Sequence, residues 1–489
     1  VCLRLKELFS CWIVVLLSQA IMIASTGDVS VVEAARSRNI DEVRLMLKQR
    51  ADVNAPQGDG STALLWAAHW DDLETADLLI DAGANVNAAN DLKITPLYVA
   101  CGNSNAAMVQ ELLIAGANPN LVPATGVTPL MIAARVGNLT VVKALIGRKA
   151  DINAKENSRG QTALMWAVAH RHADVVQALI ESGADVHARS NSSSVLVETS
   201  GYRSALLAVG LALNLKMAPR TIQEGGTTPL LFAAQQGCIE CARLLLAGGA
   251  DINETDAEGT SVLVFAAHSG EGAFAKFLLD RGAEPNTYGA GYTALHAAVL
   301  RNDPDLLKVL LAHGANPNAR MTNGTSVRRV ARDFALPAPL AGATPFLLAA
   351  KYASVDLMRI LAAGGADVKL RAYDDTTPLI AAAGAMLRTG AGSATFGLNA
   401  PVENEAHALE AVKLVLDLAG DASATNQAGE SAVHVAAFRG YNKIIQLLVE
   451  RGANLQARNE RGETPLALTK GLPRLESTAD LLHKLGATQ

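Results

Sequence analysis

The chain is 489 residues long and half apolar, yet only 4% aromatic and 18% charged, with a formal net charge of −5. Its lysines and arginines are scattered, so it offers no continuous phosphate-binding surface, and nucleic acid is not an expected partner. Of five cysteines, Cys2 and Cys11 lie in the N-terminal segment, and the odd remainder of Cys101, Cys238 and Cys241 argues against a disulfide framework.

The chain opens with Arg4 and Lys6 ahead of an apolar run from Leu8 to Ala24, and Ser18-Gln19-Ala20 fits a small-residue cleavage site. Charge followed by apolar run is the order of a secretory signal peptide. Residues 1–26 are therefore expected to direct export to a periplasmic or extracellular location. The run is also just long enough for an uncleaved membrane anchor, which is the alternative reading and the one expected route to a membrane.

From here on the sequence repeats itself. Thr62, Thr95, Thr128, Thr162, Thr228, Ser261, Thr293, Thr344, Thr377, Ser431 and Thr464 begin similar stretches, 33 residues apart or within one of it wherever nothing is inserted. At Thr228 a hydroxyl can cap the first free N–H groups, and Pro229 sits at the first helical position, where its missing donor costs nothing. Leu230, Ala233 and Ala234 follow at helical spacing. Gly237 breaks the chain, and Leu244, Leu245 and Leu246 supply the buried face of a second helix that Gly249 ends. Ala250-Asp251-Ile252-Asn253 then reads as a turn-rich protruding loop, as do Gly83-Ala84-Asn85-Val86-Asn87 and Gly314-Ala315-Asn316-Pro317-Asn318. Val31 to Asn54 half-matches the pattern with charges at interior positions, and the last unit loses it at Lys470-Gly471-Leu472-Pro473, so the array is expected to be capped at both ends.

Three interruptions break the spacing. One near 189–226 is expected to be an extended loop carrying a partial helix at Ser204 to Met217, whose all-round apolar run must be covered by something. A second, near 320–342, carries Arg328, Arg329 and Arg332 and then two prolines, and reads as a surface loop. The third, 389–405, is rich in Gly, Ala and Ser and separates a first helix from a second that resumes at Ala406 to Leu418.

With Thr95-Pro96-Leu97-Tyr98-Val99-Ala100, Thr228-Pro229-Leu230-Leu231-Phe232-Ala233 and Thr293-Ala294-Leu295-His296-Ala297-Ala298 at a period of 33, the chain resembles the ankyrin repeat family, in a bacterial-type, exported form, over about residues 28 to 489. The resemblance implies an all-α solenoid of about 11–12 helix-turn-helix repeats with protruding β-turn or hairpin loops, residues 28–489 forming one array. It implies a protein-binding scaffold or adaptor, and no enzyme. It also implies that partners bind a concave groove made by loop tips and first-helix ends. Carried over position by position, that groove would present His69, Trp70, Asn103, Val136, His170, Gln236, Ser269, Leu300, Tyr352, Phe438 and Arg439. His296 and His434 fall where similar proteins place a histidine in a local hydrogen-bond network.

Chemistry has no other visible seat. Cys238-Ile239-Glu240-Cys241 has the spacing of a redox or zinc pair, but no second ligand pair exists and both cysteines occupy ordinary repeat positions, which is the expectation taken here. No phosphate loop, zinc-protease motif or nucleophile elbow appears, so no metal, cofactor or catalytic residue is expected. The alternatives are a binder of a small molecule, glycan or envelope component, or an enzyme with its site in the insertions near Ser204 or Arg328. Partner identity and oligomeric state stay open.

Overall fold

The structure is a computed structural model that describes residues 30–197, 220–322, 342–384, 401–418 and 420–488. They belong to two compact units, one ending at Ala188 and one beginning at Arg189. The first holds five helix pairs: Val31–Arg36 with Ile40–Lys48, Ala63–His69 with Leu73–Asp81, Pro96–Asn103 with Ala106–Ile114, Pro129–Val136 with Leu139–Gly147, and Ala163–Ala169 with Ala173–Glu181. The second opens on two strands, β1 (Ser192–Val197) and β2 (Arg220–Gly225). Six pairs follow: Pro229–Gln236 with Ile239–Ala247, Val262–Ser269 with Gly272–Leu279, Ala294–Arg301 with Pro304–Ala312, Pro345–Lys351 with Val355–Ala363, Pro378–Ala383 with Pro401–Leu418, and Ala432–Arg439 with Asn442–Glu450. Two 3-10 turns and Glu476–Lys484 complete it. This is the helix-pair repeat architecture the spacing implies.

Each first helix starts where its hydroxyl cap dictates. Thr95 Oγ1 accepts from the Tyr98 N–H at 3.2 Å, Thr228 from Leu231 at 3.3 Å and Thr344 from Leu347 at 3.2 Å, and a proline follows each cap at the first helical position. The helix stops at a left-handed residue, Gly137, Gly237 or Gly440 in three repeats. Inside a unit, first helices pack on the first helices of neighbouring repeats. Ala100, Ala133, Ala233 and Ala266 are wholly buried, where only a methyl fits between helices. Most second helices contribute a leucine seventeen residues after the cap: Leu79, Leu112, Leu145, Leu245, Leu278 and Leu361 are all 0% exposed.

Polar bonds then tie the repeats along the loops. Asn87 donates from Nδ2 to the Gly116 carbonyl (3.2 Å) and accepts the Asn118 N–H at Oδ1 (2.7 Å). Asn54, Asn120 and Asn153 bridge to their next repeats in the same way within the first unit, as do Asn286 and Asn318 within the second. The hairpin tips are linked too, through Asp91 N–H to the Asp59 carbonyl and Gln427 N–H to the Asp374 carbonyl. This close approach needs glycine: at Gly259, with φ +85°, a Cβ would press on the backbone of Gly289.

The interruptions resolve differently from one another. The described part of 189–226 is the β1–β2 ladder, antiparallel and in register from Ser192 opposite Gly225 to Val197 opposite Arg220, which the sequence reading did not foresee. The expected helix at 204–217 lies outside the described residues. The 320–342 insertion leaves the stack intact, because the Gly342 N–H donates to the Met321 carbonyl, the Met321 N–H donates to the Ala343 carbonyl, and Asn318 still bridges to Asp367 across it. At the third, the second helix starts at Pro401 instead of Ala406, since proline is favoured in a first helical turn; residues 385–400 lie outside the description.

His296 and His434 build the expected local network. The His296 Nδ1 accepts the Thr293 N–H (3.2 Å) and lies 2.8 Å from Thr293 Oγ1, while Nε2 reaches the Ala343 carbonyl at 3.3 Å. His434 does the same with Ser431 and the Glu463 carbonyl. These partners fit a neutral ring that carries its proton on Nε2. Burial lowers the His296 imidazole to about 4, against the pull of its backbone acceptors, and lowers His434 in the same sense. Unfolded histidine titrates near ~6.5. Between that value and about 4 the unfolded chain takes up a proton that the folded ring refuses. The contribution of neutral His296 is thus complete above ~6.5 and is lost as pH falls toward the folded value. His296→Leu, with the residue that Leu65, Leu231 and Leu347 supply at this position, should reduce the loss of unfolding free energy between about pH 7 and about pH 4.5 by ~1–3 kcal/mol. Denaturant titrations at the two pH values measure it, and an equal acid loss in both proteins would assign that loss elsewhere.

Candidate functional site

The residues expected to form a binding face sit at the ends of the first helices, and most have a second task. Trp70 is 41% exposed, yet its indole Nε1 donates to the Arg36 carbonyl of the preceding repeat at 3.1 Å. Its ring stacks on Trp66 at 6.2 Å and meets the edge of His69 at 4.6 Å. Asn103 is exposed and donates from Nδ2 to the carbonyls of Ala68 (3.1 Å) and His69 (3.0 Å) and to Asp71 Oδ1 (3.2 Å). Further along, Asn138 caps the Ser104 carbonyl, His172 meets that of Arg135, Arg301 donates to that of His268 and Arg474 to that of Phe438.

One rule covers all of these. The last carbonyls of a helix have no partner within it and carry the negative end of its dipole, so a donor from the next repeat satisfies them. The column that the repeat alignment singles out is therefore partly a set of inter-repeat caps. Sequence reasoning missed this because a donor at a helix end and an exposed anchor occupy the same alignment position.

Two members of the first unit carry exposed surface beyond that role. Val136 is 37% exposed and has no polar atom to spend on a cap. His170 is exposed, with Nδ1 2.9 Å from the Trp166 carbonyl, and stacks on His172 at 6.3 Å. Burial lowers the imidazoles of both His69 and His170, so both rings are neutral near pH 7. Aromatic and cationic groups unforeseen by the alignment lie beside them: Arg36 sits over the Trp66 ring at 5.6 Å and Arg135 over Trp166 at 5.4 Å. Burial raises the Tyr98 phenol while Arg135 draws it down. A recurring aromatic four residues after the cap, at Trp66, Trp166, Phe232 and Phe265, was the signal available.

In the second unit Gln236, Ser269, Tyr352, Phe438 and Arg439 are half-exposed, with Arg474 over the Phe438 ring at 5.4 Å. Leu300 does not belong to this face. It is 2% exposed, because it stands seven residues after Thr293 where Trp70 and Val136 stand eight after their caps, and the equivalent position is Arg301. The cysteine reading needs correction as well: Cys238 and Cys241 are joined in a disulfide, and Cys101 is a buried free thiol. Ser204 and Arg328, the seats of the alternative enzymatic reading, lie outside the described residues. Among the described residues no group of three or more metal-ligating side chains is assembled, and no helix is long and apolar enough to cross a membrane.

The family model described as Ankyrin repeats (3 copies) matches residues 31–122, 97–190, 204–289 and 230–321, and that described as Ankyrin repeat matches 428–460. The chain is similar to ankyrin repeat and SOCS box protein 6 of Mus musculus, 33% identical over 25% of this chain and 22% of that protein. It is similar to the B-cell lymphoma 3 protein homolog of Mus musculus, 26% identical over 36% of this chain and 40% of that one. Ankyrin repeat and SOCS box protein 16 of Homo sapiens is 27% identical over 51% of this chain and 48% of its own length. The crystal structure of the human ASB11 ankyrin repeat domain is covered along 100% of its length by 53% of this chain, 25% identical with a TM-score of 0.41. This chain spans less than half the length of each of the three relatives. All three are mammalian, so the bacterial type expected from the sequence has no counterpart among them.

Trp70→Ala removes both an inter-repeat cap and a stacked ring. It should lower the unfolding free energy by ~1–2 kcal/mol, with Trp70→Phe losing the smaller, hydrogen-bonding part. Val136→Ala touches neither and should stay within about 0.5 kcal/mol of the parent. Urea unfolding midpoints of the three variants decide whether the column has this dual role.

Proposed function

The chain belongs to the ankyrin repeat family, whose members are protein-interaction scaffolds, and from that premise we propose that it binds a protein partner along the first-helix face of its N-terminal unit. The observation that carries this reading is the exposure of Trp70 and Val136, 41% and 37%, in repeats whose cores are otherwise closed. Large apolar side chains left in water at the ends of rigid helices are the anchors that interfaces use. Cationic and aromatic groups flank them at Arg36, Trp66, Arg135 and Trp166, groups enriched where proteins meet. The expected nucleic-acid partner is none, in keeping with a net charge of −5.

We further propose that residues 1–26 act as an export signal, supported by the Arg4 and Lys6 charges ahead of the apolar run. Cell fractionation of the native protein, with N-terminal sequencing, tests this; a cytosolic protein retaining Arg4 and Lys6 would overturn it.

The binding face is tested with a photo-crosslinking residue at Val136 and, as control, at Ile114, which is 67% exposed but lies on a second helix. Crosslinks to a discrete protein at position 136 and none at 114 are expected in the native source. Once that protein is identified, Val136→Asp should weaken its binding at least about tenfold, as loss of an interface anchor does, with the unfolding midpoint nearly unchanged. Crosslinking at 114 alone would move the interface to the other face.

A further inference from the structure

Cys238 stands at the N-cap of Ile239–Ala247, and its Sγ accepts the Cys241 N–H at 3.3 Å. In several other repeats the same niche holds an acceptor that is charged or strongly polar: Asp72 takes the Thr75 N–H, Asn105 that of Met108, Asn138 that of Val141 and Asp303 that of Leu306. A position that receives a free N–H and the positive end of a helix favours an anion. A sulfur there is favoured as thiolate once the pair is reduced. The two cysteines also differ in access. Cys238 is 5% exposed at the edge of the turn, while Cys241 is 0% exposed at a position that Val141 and Val175 fill elsewhere.

From these three features, the occupied niche, the unequal access and the bond between the sulfurs, we infer that Cys238 and Cys241 form a redox-active pair that exchanges with low-molecular-weight thiols and disulfides. A thiolate of the reductant attacks Cys238 Sγ, the bond to Cys241 breaks, and Cys241 leaves as thiolate and takes up a proton. A second thiol then attacks the mixed disulfide, freeing Cys238 and releasing the reductant as its own disulfide. Two thiols are oxidised and the pair is reduced by two electrons. Run backwards, the Cys238 thiolate opens an external disulfide and Cys241 closes the bond. The bridge spans a sequence separation of only 3, so opening it releases little chain entropy and leaves the stack folded. Glu271 of the next repeat lays its carboxylate against Gly237, and its charge opposes the thiolate.

The test uses the full chain with Cys2, Cys11 and Cys101 replaced by serine, equilibrated with glutathione couples of stepped ratio, alkylated and weighed. A two-thiol transition without loss of helical circular dichroism is expected. With Cys241→Val, oxidised glutathione should form a mixed disulfide at Cys238 at least about tenfold faster than it exchanges with free glutathione, and Glu271→Gln should raise that rate. With Cys238→Asp, which keeps the cap, Cys241 should remain unmodified. A pair that stays closed or open at every ratio, or equal labelling of the two sulfurs, would overturn the proposal. So would unfolding on reduction while Cys238→Asp stays folded, since the bond would then be a structural staple.

Discussion

A helix pair of this size cannot bury its own apolar face, and everything else in the molecule follows from that. In most second helices a leucine is fully buried, as at Leu79, Leu112 and Leu245, which a helix this short achieves only under a neighbouring repeat, so stability accumulates pair by pair along each unit. Apolar contact alone would let repeats slide or rotate on one another. The asparagine bridges prevent this within each unit. A side chain that donates to one backbone carbonyl and accepts from a nearby N–H, as Asn87 does with Gly116 and Asn118, fixes both spacing and register. Its persistence from Asn318 to Asp367 explains why the 320–342 insertion does not interrupt the stack. Where the position is taken by Lys369, which has no acceptor, or by the shorter Ser423, the bridge cannot be made in this form.

The periodic part of this design was legible in the sequence for a physical reason. A hydroxyl cap must stand at one fixed place relative to the buried apolar residues, so eleven such starts, six of them followed by proline, carry the helix pairs with them. What depends on contacts between alignment columns was not legible. Counting from the Ala-Ala pair misplaces Leu300, because Ala297-Ala298 stands one residue nearer its cap than Ala67-Ala68 does. The cysteine pair was explained one residue at a time as ordinary repeat positions, although an N-cap and the residue three further on face each other across a single helical turn. The β1–β2 ladder arises inside an insertion with no period, where pairing depends on a partner twenty or more residues away.

The candidate face shows the same limit from another side. Alignment identifies a column but not what each member of it does, and in this chain the column is divided between cohesion and exposure. Trp70 and Asn103 satisfy the carbonyls of the preceding repeat while presenting surface to solvent. Val136 can contribute nothing to such capping, and it is 37% exposed.

This double use couples recognition to cohesion. A partner that buries the outer surface of Trp70 also shields the bond from its indole to Arg36 from competing water, and a shielded bond to a helix end is electrostatically stronger. Any ligand that prefers the assembled face stabilises it in proportion to its occupancy. In a one-dimensional stack such stabilisation is felt first by the repeats on either side of the bond. Contact at Val136 lacks that route, since its side chain joins no two repeats by a polar bond. Two anchors on one face thus differ in kind: one links binding to the integrity of the N-terminal repeats, and the other contributes affinity alone.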